Sequence, residues 1–252
     1  MKHDWHIHTF FSPCASPDMR FSAIVAAALD AGLESVGFSD HPFREGLAAH
    51  HEKIDEFRRK MYVGVKVFIS AELEVIGPGE LVLDPADLPL ADYIIAAPSH
   101  YNVLKDPPVE DMTDADQWAV RMVNDFANVA GSGADIVAHP FYAYSVIFNE
   151  PKGMGLPSIE SVLHAIDRTK LRDALEAISA DGVALEVSYR AHSHPALKGF
   201  LQGMFLEARE FGIKFSFGSD AHRLQSVGLF EARTMEFMEG IGLREEELWR
   251  LT

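Results

Sequence analysis

The feature that most limits what this chain can fold into is a repeated alternation of short apolar runs with longer amphipathic stretches. The runs are Trp5–His8, Ser35–Ser39, Lys66–Val75, Tyr93–Ala97, Asp135–Ala138, Ala184–Val187 and Lys214–Gly218. They have the length of strands. Helix-like spacing fills the intervals, at Phe21–Ala31, Ala48–Val63, Asp114–Ala130, Ser158–Ala180 (one helix or two) and Pro195–Phe211, and it continues after the last run at Ser226–Glu239 and Arg244–Leu251. Gly32 is expected to end the first helix, and Thr113 to cap the one that begins at Asp114. Strands that alternate with helices form βαβ units and a parallel sheet. The chain has 252 residues, enough for one large core, and it shows no fixed-period repeat and no Gly/Ser linker. The expectation is an α/β fold in a single domain, residues 1–252.

Composition narrows the partners. The formal net charge is −16, which repels nucleic acid and anionic lipid, so neither is an expected partner. It does not exclude a small anionic substrate, because cations held in a cleft reverse the local potential. Cys14 is the one cysteine, so no intrachain disulfide can form. No apolar run reaches membrane-spanning length, and residues 1–6 lack the apolar segment of a secretion signal. The chain is expected to be cytoplasmic.

Histidine and acid positions carry the functional information. His6 and His8 end the first run, Asp40 and His41 follow the second, and Glu72 and Glu74 lie near the end of the third. His100 and His139 follow the fourth and fifth, Glu186 ends the sixth, and Asp220 and His222 follow the seventh. In a closed parallel barrel all strand ends gather on one face, where such folds keep their chemistry. Imidazole and carboxylate are ligands for Zn, Mn and Fe. An H-x-H pair on a strand turns both rings to one face, since side chains alternate with period two. The same parity holds for Asp220 with His222 and for Glu72 with Glu74, so parity does not choose between the two glutamates. The donor inventory exceeds what one ion needs and fits two or three divalent metals bridged by a carboxylate. His3, His50, His51 and His164, on helices or at the terminus, are expected to be solvated. His192 and His194 follow the sixth run, where pocket and surface loop are both open.

The ordered elements D-W-H-I-H-T (4–9), S-D-H (39–41), L-E-V (73–75), S-H (99–100), A-H-P (138–140), L-E-V (185–187) and G-S-D-A-H (218–222) resemble the motifs of the PHP (polymerase and histidinol phosphatase) superfamily. The resemblance implies a distorted seven-stranded (β/α)7 TIM-like barrel that holds up to three Zn, Mn or Fe ions and hydrolyses phosphate esters. It implies one metal on His6, His8, a strand-three glutamate and Asp220, and a second on that glutamate with His100 and His139. It assigns His41 and His222 to a third. Glu74 is the expected bridge and Glu72 the alternative. Where many relatives carry another histidine soon after H-x-H-T, this chain has Cys14, which is either a thiolate ligand or a structural thiol.

The expected activity is that of a metal-dependent phosphoesterase acting on a small phosphorylated molecule, similar to a histidinol phosphatase. The expected catalytic residues are Asp220, His222 and Arg190. Arg190 would clamp the phosphate, and Arg223, Arg44 and Lys105 are lesser candidates. Asp4 is expected to orient a ligand imidazole. Two other readings stand beside this one: an amidohydrolase-like enzyme cleaving C–N or C–O bonds, and a non-catalytic metal-binding module.

Overall fold

The computed structural model describes residues 2–41, 46–60, 64–100, 109–142, 155–188, 195–228 and 232–251, with the side chains of 232 and 233 excepted. The strands are β1 (His3–Ile7), β2 (Ser35–Asp40), β3 (Lys66–Gly77), β4 (Glu80–Leu81), β5 (Tyr93–Ala97), β6 (Ile136–Val137), β7 (Ala184–Ser188) and β8 (Phe215–Gly218). All but β4 run parallel in the order β1-β2-β3-β5-β6-β7-β8, and β4 folds back on β3. A parallel bridge between Ile7 and Ala221, with His8 N–H donating to the Ala221 carbonyl at 3.0 Å, brings the last strand's extension against the first. The result is a nearly closed seven-stranded barrel in one α/β domain, as the alternation predicts. The helices are α1 (Phe21–Asp30), α2 (Gly46–Lys60), α3 (Ala115–Ala127), α4 (Ile159–Ala165), α5 (Arg168–Ala180), α6 (Pro195–Glu210) and α7 (Ala232–Gly240).

Each strand buries two faces. Val36, Phe38 and Ile69 pack outward with Ile24, Val25 and Ala28 of α1. Leu73, Ile94, Val137, Leu185 and Phe215 pack outward with α3 to α6. Inside, Trp5, Tyr93, Ile95, Ile136, Ala138 and Ala184 form a floor, and the acids and imidazoles lie above it.

A bulge in β1 makes both levels possible. Asp4 pairs with Val36 and Ile7 with Phe38, so β1 spends one extra residue over this interval. Asp4 and Ile7 share the outward face of their partners, while Trp5 and His6 both turn inward. A bulge frees backbone groups from the ladder, and here the Trp5 carbonyl accepts hydrogen bonds from the Tyr93 hydroxyl and, at 3.0 Å, from Ser39 Oγ. Gly37 is required beside it, because a Cβ there would lie 1.5 Å from the Tyr93 hydroxyl oxygen.

Several local expectations change. Asp114, not Thr113, caps α3, its carboxylate accepting the Asp116 and Gln117 amides at 2.8 and 3.2 Å; Thr113 instead donates to Asp111. Ser158–Ala180 is two helices, each with its own cap, Ser158 and Asp167. Arg244–Leu251 is not a helix beyond a single turn at Glu245–Glu247. Leu248 bridges Phe215, Trp249 N–H donates to the Phe215 carbonyl at 2.8 Å, and the Trp249 ring lies 5.4 Å from both Trp5 and Tyr93. Burying that indole against the floor outweighs local helix propensity. His50 is buried beside Phe11 rather than solvated.

Candidate metal centre

The strand ends converge on Glu72. Its Oε2 lies 3.3 Å from His6 Nε2, 3.3 Å from His8 Nε2 and 3.4 Å from His41 Nε2. Its Oε1 lies 2.9 Å from His139 Nε2 and 3.7 Å from His100 Nε2. Asp220 Oδ1 stands 3.1 Å from His8 Nε2 and 3.7 Å from His6 Nε2. Four donor groups emerge among the described residues: His6–His8–Glu72, His41–Glu72–His100, His8–Asp220–His222 and His8–Cys14–His41, the ligand atoms of each within 4.8 Å of one another.

In four of the imidazoles the ring nitrogen facing away from this centre is held by the protein. His6 Nδ1 meets Glu186 Oε1 at 2.9 Å, and Glu186 Oε2 accepts the His139 amide at 2.7 Å. His8 Nδ1 meets Ser12 Oγ at 3.1 Å, and that hydroxyl donates to Asp40 at 2.6 Å. His41 Nδ1 donates to the Glu72 carbonyl at 3.2 Å, and His222 Nδ1 to the Asp220 carbonyl at 2.8 Å. A carbonyl accepts only, so both Nδ1 atoms carry hydrogen and both Nε2 atoms present lone pairs. The backbone is bent to fit: His139 and Asp220 have φ of 22° and 50°, a region that costs a non-glycine residue about 1–3 kcal/mol. At Gly218 a Cβ would sit 2.1 Å from Glu186 Oε1 and 2.3 Å from His6 Cβ, so only glycine leaves room for that pair.

The donors fit a divalent cation. With Nδ1 bonded to Glu186, His6 Nε2 faces Glu72 and Asp220, and this buried nitrogen has no hydrogen-bond partner. Carboxylates turned onto buried imidazole nitrogens call for positive charge among them, which a divalent cation supplies. The 3.3–3.4 Å spacings from Glu72 match the roughly 3.4 Å edge of a tetrahedron with bonds of about 2.1 Å. Protonation within the cluster follows the same charges. Burial opposes charge on Glu72, yet His100 and His6 hold its carboxyl well below the ordinary range. Burial opposes charge on His8, but Asp220 and Glu72 carry it up to about 9. Burial pushes His100 down to about 4.

Of the residues expected from sequence, His6, His8, His41, His100, His139, Asp220 and His222 are brought together. Glu72, the alternative, rather than Glu74 is the glutamate that lies against the imidazoles. Both face inward, but Glu74 pairs with Ala97, one pleat further along β3, and belongs to none of the four donor groups. Cys14 lies at the accessible edge, where partial enclosure of its thiol and then the charge of Glu72 push it up to about 11. Asp4 does not orient an imidazole. The bulge turns it outward, where it accepts the Ser219 and Gly228 amides at 2.8 and 2.9 Å, and burial lifts its carboxyl to about 6. Glu186 orients His6 instead; its place at a strand end was the signal that could have found it. Arg190, Arg44, Lys105, His192 and His194 lie outside the described residues. Arg223 lines a cavity of about 630 Å³ with Cys14, Ala15, Ser16 and His222.

A parallel barrel with buried imidazoles and carboxylates gathered at one mouth defines an α/β barrel protein with a candidate metal centre. The PHP domain family matches residues 4–190, and the chain belongs to that family. β8 and the G-S-D-A-H segment follow the matched range and close the same barrel. Among solved structures, the chain is similar to a histidinol phosphate phosphatase from Lactococcus lactis subsp. lactis, complexed with zinc, L-histidinol and phosphate. The TM-score is 0.65 at 16% identity, over 96% of this chain and 94% of that one. A D-hydantoinase from a Bacillus species aligns over 86% of this chain and 46% of its own, at a TM-score of 0.38 and 14% identity. No curated protein sequence matches. Among the described residues, no helix is long and apolar enough to cross a membrane.

Proposed function

We propose that this PHP-family chain is a metal-dependent phosphoesterase that hydrolyses a small phosphorylated molecule. The observation that carries the reading is Glu72, a buried carboxylate within 3.7 Å of five imidazoles. The reading assigns His6, His8, Glu72 and Asp220 to one divalent cation and Glu72, His100 and His139 to a second. It assigns His41, His222 and Cys14 to a third. Nitrogen and oxygen donors suit Zn, Mn or Fe, and a sulfur donor favours zinc. When bound, such ions supply Lewis acidity, acidifying water toward neutral pH and offsetting charge on the phosphoryl group.

The chain's own part is orientation. Glu186, Ser12 and two backbone carbonyls fix which nitrogen of His6, His8, His41 and His222 faces the centre. His222, half-buried beside the 630 Å³ cavity, keeps its Nε2 for the third ion because Nδ1 donates to the Asp220 carbonyl. The proton for the departing alkoxide comes from solvent in that cavity, and Asp220, 3.4 Å from Nδ1, helps hold the ring in place. The complex of the Lactococcus enzyme with L-histidinol and phosphate supports a small phosphate ester as the substrate class.

The test is elemental analysis of protein purified without chelator, paired with turnover of p-nitrophenyl phosphate with added Zn or Mn. Two or three ions per chain with phosphatase activity are expected. A metal-free folded protein, or a preference for amides or lactones over phosphate esters, overturns the reading.

A further inference from the structure

This inference rests on the phosphoesterase reading and narrows its substrate class. The 630 Å³ cavity beside the metal-ligand cluster is walled by the small residues Ala15 and Ser16, by Cys14 and His222, and by one cation, Arg223. Two of its wall segments are tied to each other, Ser16 N–H donating to the His222 carbonyl at 2.9 Å, and the strand extension before them is tied to β1 by His8 N–H donating to the Ala221 carbonyl at 3.0 Å. Arg223 is held in extended backbone (φ −144°, ψ 148°) at the start of a 3-10 turn, Leu224–Ser226, with Ser226 N–H bonded to its carbonyl at 2.9 Å.

Arg223 differs from the other arginines. Among the described side chains, Arg58, Arg59, Arg121, Arg168, Arg172, Arg209, Arg244 and Arg250 each meet a carboxylate. Arg20 lies over the Phe10 ring. Arg223 has no carboxylate, hydrogen-bond or aromatic partner among the described residues, in a chain whose net charge is −16 and where acids are plentiful. An exposed guanidinium at the wall of this cavity, with no such partner among the described residues, has donors to offer an oxyanion. The cavity is large enough for an organic leaving group in addition to a phosphoryl group.

We infer that Arg223 is the specificity-determining residue for the leaving group, and that the substrates are phosphate monoesters whose organic part carries a second anionic group. The scissile phosphoryl group sits at the metal-ligand cluster, and the second anion, a carboxylate or another phosphate, pairs with Arg223 across the cavity. In an acidic protein, that pairing also draws a doubly anionic ester to a mouth that its overall field disfavours.

The experiment compares 4-carboxyphenyl phosphate with phenyl phosphate on metal-loaded enzyme, together with calorimetric binding of 4-hydroxybenzoate. The wild type is expected to favour the carboxylated ester about tenfold in kcat/KM, chiefly through KM. Arg223→Ala should collapse that ratio to near unity and abolish 4-hydroxybenzoate binding, Arg223→Lys should keep part of both, and Arg223→Glu should invert the ratio. If the wild type turns over both esters equally, or if Arg223→Ala slows both in proportion through kcat with the ratio intact, the assignment of Arg223 is overturned while the phosphoesterase reading stands. If neither ester is hydrolysed by metal-replete protein, it is the phosphoesterase reading that fails, and 4-hydroxybenzoate binding by the wild type but not by Arg223→Ala would still support the anion site.

Discussion

Trp5 and His6 are neighbours in β1, yet they belong to different worlds. Trp5 joins Tyr93, Trp249 and Phe68 in an aromatic floor with ring centroids 5.4–5.7 Å apart. His6 joins the acids and imidazoles at the mouth. At the floor, the carbonyl that the bulge displaces is answered from within by Tyr93 and Ser39. At the mouth, the buried His6 Nε2 is left without a hydrogen-bond partner. The difference teaches where the molecule is finished and where it waits for something else. A buried polar atom left unmatched costs about 1–3 kcal/mol, which a fold tolerates where a ligand recovers it.

The contrast can be broken most forcefully at Glu72. Glu72→Gln keeps the shape and removes the shared charge. It should lose at least one ion per chain by elemental analysis and lower kcat/KM for p-nitrophenyl phosphate about 1,000-fold, equivalent to ~4 kcal/mol. Glu74→Gln, one pleat away, should stay within about threefold. Equal losses in the two variants would erase the distinction between them.

Gly218→Ala tests how tightly the mouth is built. The added methyl meets Glu186 and His6, so we expect a loss of about 2–4 kcal/mol in stability, read as a lower melting temperature, together with weaker metal retention. An unshifted melting curve would mean that the pair moves aside freely.

Tyr93→Phe tests the floor alone. It deletes one of the two donors to the Trp5 carbonyl and should cost about 1 kcal/mol in urea unfolding with metal content unchanged. Loss of metal here would show that floor and mouth are not separable.

The smallest effect lies beneath the floor. Burial pushes the Glu247 carboxyl up, but Arg209 at 2.7 Å and Arg244 more than reverse this and hold it at about 2, against an ordinary 4.5. Because the folded value is the lower one, the pair stabilises the protein above about pH 4.5, and that contribution fades as pH falls toward 2. Glu247→Gln should therefore unfold about 0.5 kcal/mol more easily at pH 7, with the gap to wild type closing in acid. A gap independent of pH would assign the effect to packing instead.

Much of this was legible in the sequence, for physical reasons. Strands buried on both faces must be apolar, so the barrel's outer residues announced β2, β3 and β5, and donors at strand ends had to meet because parallel strands share a mouth. What stayed hidden depended on register and tertiary contact. Glu72 and Glu74 have the same parity, and only the pairing of Glu74 with Ala97 separates their heights. The bulge reversed Asp4 without leaving a mark in the pattern. The final segment reads as helical, and Trp249 is extended only because the floor it covers exists.

The closure of the barrel has a consequence for how the protein is made. His8 and Asp220 touch across 212 positions, and Asp4 reaches Gly228 across 224. His6, His8 and Glu72 therefore leave the ribosome long before Asp220 is translated. The cluster stays incomplete until β8 closes the barrel, so a product truncated before Asp220 should be both unfolded and a poor ligand for metal.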